Sequence, residues 1–388
     1  MDDEIFIRPY QISLKLVGAW PGCAKLSGFF FVTGWSSILL FFALWNTTEV
    51  YENLDFLVDN LVNVIAVVVG LLKLTTLRVK RSIFLFRTLM TILNKMLEDW
   101  QTMKMIEEFK AMTDNFERSK WICKSIVMLY NSLILTFLLK PAISYMNDSV
   151  EHREYLAPVS FPKFMDAKQS PMYEIITAGE IVTTFLCLNS HALIEGLLAS
   201  SVLHACSKVD AVRQEIVKFS DVCRTQSGDK MLKLTAIRRL VNVHVNCDEF
   251  SENVENIFTV ISFFHISLLT LMQVLSGYMF ILNLEEGGEI LQTLHHGLII
   301  IVILVSCGYY CIAGEYLTNQ NELLNVEIYN CFWTEFPVPQ QKAIKFILAK
   351  SQRPVRLTFG KFDQLNLLCL TKIIKTSFSY LSLVRQVH

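Results

Sequence analysis

Between Asn256 and Leu284 the chain contains no Asp, Glu, Lys or Arg, and the same holds from Ile290 to Gly314. Each run exceeds the ~20 helical residues that cross the ~30 Å hydrocarbon core of a bilayer. Gly287-Gly288 supplies a tight turn between them. Backbone polar groups cannot stay unsatisfied in lipid, so such runs are helices. Four further apolar segments are long enough to span: roughly 27–47, 57–77, 122–146 and 173–206. The second of these encloses NLVNVIAVVVGLL between Asp59 and Lys73. Composition agrees. Charged residues make up 18% of the 388, against about 25% in soluble domains, and 52% are hydrophobic. The fold class is therefore an all-α membrane protein.

A seventh segment, about 361–386, holds Lys372 and Lys375. A lysine facing lipid at mid-membrane costs about 3 kcal/mol. Hydropathy leaves two readings open, an amphipathic surface helix or a transmembrane helix that lines water. On a helix, Lys372, Thr376, Ser379, Leu383 and Val387 share one face. A polar stripe ending in two apolar residues suits a wetted wall closed by a hydrophobic constriction.

Orientation follows from charge. Ten Lys/Arg lie between Arg78 and Lys124 and eight between Lys208 and Arg239, whereas TTEVYENLD and EEGGE hold none. This predicts a cytoplasmic N-terminus and, with seven spans, an extracellular C-terminus. The sequons at Asn46 and Asn147 are glycosylation candidates, and both fall in connections expected outside. The acidic start MDDEIFIRPYQ shows no removable signal peptide. Residues 82–110 place Ile83, Phe86, Leu89, Met90, Leu93, Met96 and Leu97 at helical spacing. Several helices are thus expected to project beyond the membrane.

Enzyme chemistry finds no support, because HExxH, GxSxG and nucleotide-binding Gly loops are all missing. No cofactor, metal or nucleic-acid partner is expected. The ten cysteines have no CxxC pair, and several sit in apolar runs as small hydrophobes. His191 and Glu195, at i and i+4, read as a hydrogen-bonded polar pair within the bundle rather than a metal site. His295-His296 stand at the outer end of the sixth span, and Tyr309-Tyr310 read as packing residues. Glu180 and Lys140 lie at similar depth. They either snorkel to the interface or border a buried cavity as a pair.

The end of the chain carries more specific signals. Tyr329-x3-Trp333 is followed by Gln352-Arg353-Pro354, Gly360-Lys361-Phe362 and a helix closing Ser377-x-Ser379-Tyr380-x2-Leu383-x-Arg385. Upstream stand CGYYCIAGEYLTNQNELLNVEIYNCFW and, before the fourth span, a Phe161-Pro162 then Ser170-Pro171-x-Tyr173-Glu174 pattern. Together these resemble the insect odorant receptors. The short connection at 207–255 lacks the large insertion of that family's co-receptor, so the chain resembles a ligand-selective (tuning) subunit.

The resemblance implies an odorant-gated, non-selective cation channel subunit in the plasma membrane of olfactory sensory neuron dendrites. Its partners would be a small volatile organic ligand, membrane lipid and the odorant receptor co-receptor, in a heterotetramer. Residues 1–339 would form the N-terminal segment, six spans and cytoplasmic extensions. An anchor helix would follow at 340–352, and a pore-lining seventh span at 361–386. The implied odorant pocket draws on Val58, Ile134, Phe137, Tyr145, Thr177, Glu180, Ile181, Thr184 and His295. Leu383 and Val387 align with the family's gate. The alternative is a G-protein-coupled-type seven-helix chemoreceptor, whose topology is the reverse.

Overall fold

The charge-free runs are continuous helices. The computed structural model describes residues 27–49, 54–78, 83–103, 110–146, 155, 168–224 and 230–387. In order, α1 is Ser27–Glu49, α2 Leu54–Arg78, α3 Ile83–Met103, α4 Lys110–Met146 and α5 Met172–Arg224. Then come α6 Lys230–Glu285, α7 Ile290–Asn330, α8 Val338–Ser351 and α9 Leu367–Val387. Seven of them, α1, α2, α4, α5, α6, α7 and α9, are long and apolar enough to cross a membrane. The described residues are thus mostly helical, and the protein is a multi-pass membrane protein.

Two helices far exceed a bilayer. With 53 residues in α5 and 56 in α6, each is about 80 Å long. The excess is packed against other helices. Val212, Ile216 and Phe219 of α5, Leu240 of α6 and Leu324 and Ile328 of α7 enclose Ile344 and Ile347 of α8 in a second core. The amphipathic face expected near 82–110 is α3, which buries Leu89, Leu93 and Met96 against α5 and α6. Side chains of Ile83 and Phe86 lie outside the described residues. Asp99 of α3 sits 2.6 Å from Lys208 and 3.0 Å from His204. Burial pulls Asp99 upward, but the His204 hydrogen bond and the Lys208 charge outweigh it and hold its carboxyl at about 2.

Two boundaries differ from the sequence reading. The first helix runs on to Glu49, so Asn46 lies inside it and is only 6% exposed, rather than in a connection. Asn147 lies outside the described residues. The last helix begins at Leu367, because the preceding residues form a hairpin of β1 (Thr358–Phe359) and β2 (Asp363–Gln364). Gly360 and Lys361 both adopt positive φ at its tip, as tight hairpins require. A Cβ on Gly360 would stand 2.8 Å from the Phe263 ring.

One face of α6 clamps that hairpin. Glu255 accepts hydrogen bonds from the Thr358 hydroxyl, the Thr358 N–H at 2.9 Å and Lys361 Nζ at 2.8 Å. The Thr259 carbonyl accepts from Gly360 N–H at 2.8 Å, and Phe263 stacks on Phe362. Residues 255, 259 and 263 recur every fourth position, so one helical stripe does all of this. On the other side, α7 comes so close that a Cβ on Gly314 would overlap the Leu365 carbonyl oxygen. Glu255→Ala strips several polar groups of their acceptor, at a cost of about 3 kcal/mol. Thermal unfolding of the purified chain in detergent should show a clearly lowered midpoint, with Glu255→Gln intermediate. An unchanged midpoint in Glu255→Ala would mean that the clamp does not stabilise the fold.

Candidate functional site: a cavity inside the bundle

Six helices leave between them a cavity of about 130 Å³. Leu39 and Ala43 of α1, Val62, Ala66 and Val69 of α2 and Leu133 and Phe137 of α4 form its apolar side, with Leu269 and Met272 of α6 and Ile299, Val302 and Ile303 of α7. These are apolar because both faces of their helices meet protein or lipid. The polar groups come mainly from one helix, α5, which contributes Glu180, Thr183, Thr184, Cys187 and His191. A mostly apolar hollow with a few convergent polar groups is the usual form of a small-molecule site.

Of the expected pocket residues, the structure brings Phe137, Glu180 and Thr184 together on the wall. Glu180 is only 1% exposed, so it does not snorkel outward. Lys140's side chain is not among the described residues, and neither is that of Tyr145. His295 stands one layer back, with Nδ1 3.0 Å from the Thr136 hydroxyl and its ring 4.4 Å from that of Phe137. Ile134 is buried in packing, and Thr177 and Ile181 are half-buried off the wall. Val58 instead packs with Tyr278 and Met279 beside Leu381 and Val384 of α9. Sequence reasoning missed the contributions of α1 and α6, and also Thr183, Cys187 and His191. Those three recur every fourth residue, a polar stripe on an apolar helix that was legible in principle.

A buried ionic node lies at the end of the cavity marked by Tyr130 and His191. Lys73 Nζ of α2 is 3.1 Å from Glu195 Oε1 of α5, and neither side chain is more than 3% exposed. The same oxygen accepts from the Tyr130 hydroxyl of α4 at 2.6 Å and from the Ser306 hydroxyl of α7 at 2.9 Å. His265 Nε2 of α6 lies 2.8 Å from Ser306 Oγ, and its ring stacks on the fully buried Tyr310. The i, i+4 pairing of His191 with Glu195 is thereby corrected. Glu195 is held by Lys73, and His191 instead stacks on Tyr130 at 6.0 Å. Lone buried charges are costly, whereas a hydrogen-bonded pair is tolerated.

The polar stripe expected on the seventh span lies on an exposed face. Along α9, Cys369, Ile373 and Ser377 face the bundle, while Lys372, Thr376, Ser379 and Leu383 are exposed on a different face. Lys372 is paired with Asp363 at 2.6 Å. Val387 belongs to the helix, but its side chain lies outside the described residues. Among the described residues no group of His, Cys, Asp and Glu could hold a metal ion.

Comparison with known proteins follows the same outline. The sequence model of the family described as 7tm Odorant receptor matches residues 53–378. Odorant receptor 13a of Drosophila melanogaster is 23% identical over 321 residues, covering 72% of this chain and 74% of that one. Odorant receptor 10 of Aedes albopictus is 23% identical over 227 residues, covering 58% of each chain, less than two thirds of the relative's length. The structure of the olfactory receptor OR5 from Machilis hrabei in complex with eugenol superposes with a TM-score of 0.78 at 15% identity, covering all of both chains. At that identity the likeness concerns the fold.

The node yields a direct test. Glu195→Ala leaves Lys73 charged and unpaired, and Lys73→Ala does the converse; each should cost about 3–5 kcal/mol. Surface expression and thermal stability should fall sharply in both single variants. The double variant Lys73→Met/Glu195→Met should recover much of the loss, since it leaves no orphan charge. Additive losses in the double variant would show that the two residues do not act as a pair.

Proposed function

The chain belongs to the 7tm odorant receptor family, and from that premise we propose that it is the ligand-selective subunit of an odorant-gated, non-selective cation channel. That family is one of receptors, not enzymes. The observation that carries the proposal is the position of α6 between the cavity and α9. Met272 lines the cavity, and its neighbour Gln273 accepts a hydrogen bond from Ser377 of α9 at 3.4 Å. Leu370 of α9 packs against the cluster that holds Met272 and Ile303. An occupant that presses on Met272 therefore acts on the wall that α9 leans against. It favours whichever arrangement of α9 binds it better, in proportion to the difference in affinity. The eugenol complex of the Machilis hrabei receptor supports a small volatile as the occupant.

In the proposed assembly, four subunits turn their α9 stripes towards a central axis, this chain alongside the co-receptor. Leu383 and Val387 form an apolar constriction that empties of water when narrow. The extensions of α5, α6 and α7, with α8, are the cytoplasmic anchor where subunits meet. The N-terminus is cytoplasmic and the C-terminus extracellular, in the plasma membrane of sensory dendrites. The competing G-protein-coupled-type chemoreceptor has the reverse orientation. The ten Lys/Arg between Arg78 and Lys124 and the eight between Lys208 and Arg239 count against it.

Two experiments bear on this reading. Cells expressing the chain with co-receptor should give volatile-evoked currents, and cells expressing it alone should give little or none. A C-terminal epitope should be labelled on intact cells. Strong current without co-receptor would point to a self-sufficient homomer, and a tag seen only after permeabilisation would exclude the inverted topology. The second experiment addresses the gate. Leu383→Ser and Val387→Ser should each raise ligand-independent leak or alter permeability ratios at normal surface expression. The change should be modest, because only some of the four pore helices carry the substitution. Unaltered leak, permeability and gating in the double variant would remove both residues from the gate.

A further inference from the structure

The cavity has one polar wall, and part of that wall has no protein partner. Glu180, Thr184, Cys187 and His191 follow one another by four, three and four residues, so with Thr183 they form a single stripe of α5. Three other polar groups on the lining are already engaged. The Tyr130 hydroxyl donates to Glu195, the Asn63 amide donates to the Asp59 carbonyl at 3.0 Å, and Cys187 Sγ lies 3.7 Å from Ser36 Oγ. Thr183 is different. It is 4% exposed, and its hydroxyl has no hydrogen-bond partner among the described residues. His191 is 7% exposed and makes a ring stack on Tyr130 but no hydrogen bond among the described residues. Its Nε2 lies 3.3 Å from where a Cβ on Gly70 would stand, so the imidazole occupies space that the glycine leaves open.

A buried polar group without a partner is unfavourable, and a ligand that supplies the missing partner recovers the loss. Thr183 and His191 are eight residues apart, about 12 Å along the helix. A single small molecule therefore meets one of them with its polar end and the apolar walls with its body. Size narrows the class. A cavity of about 130 Å³ is close to the ~150 Å³ apolar cavity that accommodates benzene elsewhere. Charge narrows it again, since among the described residues no Lys or Arg lines the cavity while Glu180 does.

We infer that the cavity selects neutral, oxygen-bearing ligands of about one aromatic ring or a comparable short chain, with His191 as the residue that reads the oxygen and Thr183 as a second, weaker anchor. This rests on the cavity's being the odorant site. His191, held flat against Tyr130, supplies a ring nitrogen that donates or accepts according to its tautomer. Thr183 supplies a hydroxyl that does both. A hydrocarbon of the same shape fills the space and leaves both unpaired. A carboxylate meets Glu180 and finds no cation among the described lining residues.

The test uses three probes with one carbon skeleton, toluene, benzyl alcohol and benzoate. Binding is measured directly on the purified full-length chain in lipid nanodiscs, so that gating does not enter. His191→Leu should weaken benzyl alcohol by about tenfold and change toluene by less than about twofold. His191→Gln, which keeps a hydrogen-bonding amide, should retain most of the affinity. Thr183→Val should weaken benzyl alcohol by less than about twofold, because a molecule held by its oxygen at His191 does not reach Thr183. Benzoate should not bind measurably. Equal effects of His191→Leu on toluene and benzyl alcohol would overturn the polar anchor and leave the cavity as a ligand site. Benzoate binding as tightly as benzyl alcohol would overturn the preference for neutral ligands. Ala66→Trp fills the cavity and should abolish toluene and benzyl alcohol binding together. If it does not, or if neither probe binds the unsubstituted chain, the ligand-site reading itself fails, and this inference with it.

Discussion

A single carboxylate oxygen, Glu195 Oε1, gathers five of the helices at one buried point. Lys73, Tyr130 and Ser306 all reach it, and His265 reaches Ser306, so α2, α4, α5, α6 and α7 meet at one point. Surrounded by buried side chains, such a pair adds little net stability over well-packed apolar residues. What it imposes is register. Hydrophobic helices can slide against one another at modest cost, whereas a helix carrying Lys73 or Ser306 that slips one turn strands a buried polar group. The cavity directly beside the node inherits that constraint. Five of its six wall helices are those the node joins, and Tyr130 belongs to both.

From the node outward, α6 carries much of the remaining organisation. Its stripe of Glu255, Thr259 and Phe263 holds the hairpin, and a little further along Leu269 and Met272 close the cavity. Gln273 then meets α9. One continuous helix thus touches the clamp, the ligand wall and the exposed-stripe helix in succession.

The helices were readable from the sequence because lipid imposes a rule that ignores tertiary detail, namely uninterrupted apolar residues in runs of sufficient length. The misreadings occurred where a distant partner decides the outcome. Residues 361–366 could as well have begun the last helix. They bend back because Glu255, more than a hundred positions earlier, offers a buried carboxylate to Thr358 and Lys361. Likewise Glu195 looked like the partner of His191 one turn away, while its real counter-charge lies on α2. The cavity was half visible. The family resemblance together with depth places Phe137, Glu180 and Thr184, but Leu269 and Met272 sit on a helix whose facing cannot be judged without its neighbours.

The base of α9 is pinned twice, by the clamped hairpin on one side and by the close approach of Leu365 to Gly314 on the other. Its far end, from Phe378 to Leu383, is largely uncovered. Mechanically this is a cantilever fixed at one end. The 21-residue helix is about 31 Å long. A tilt of about 5° at the fixed base carries the tip sideways by roughly 3 Å over such a length. A sub-ångström displacement of the wall near Gln273 is therefore magnified with distance from the base, and it is largest at Leu383.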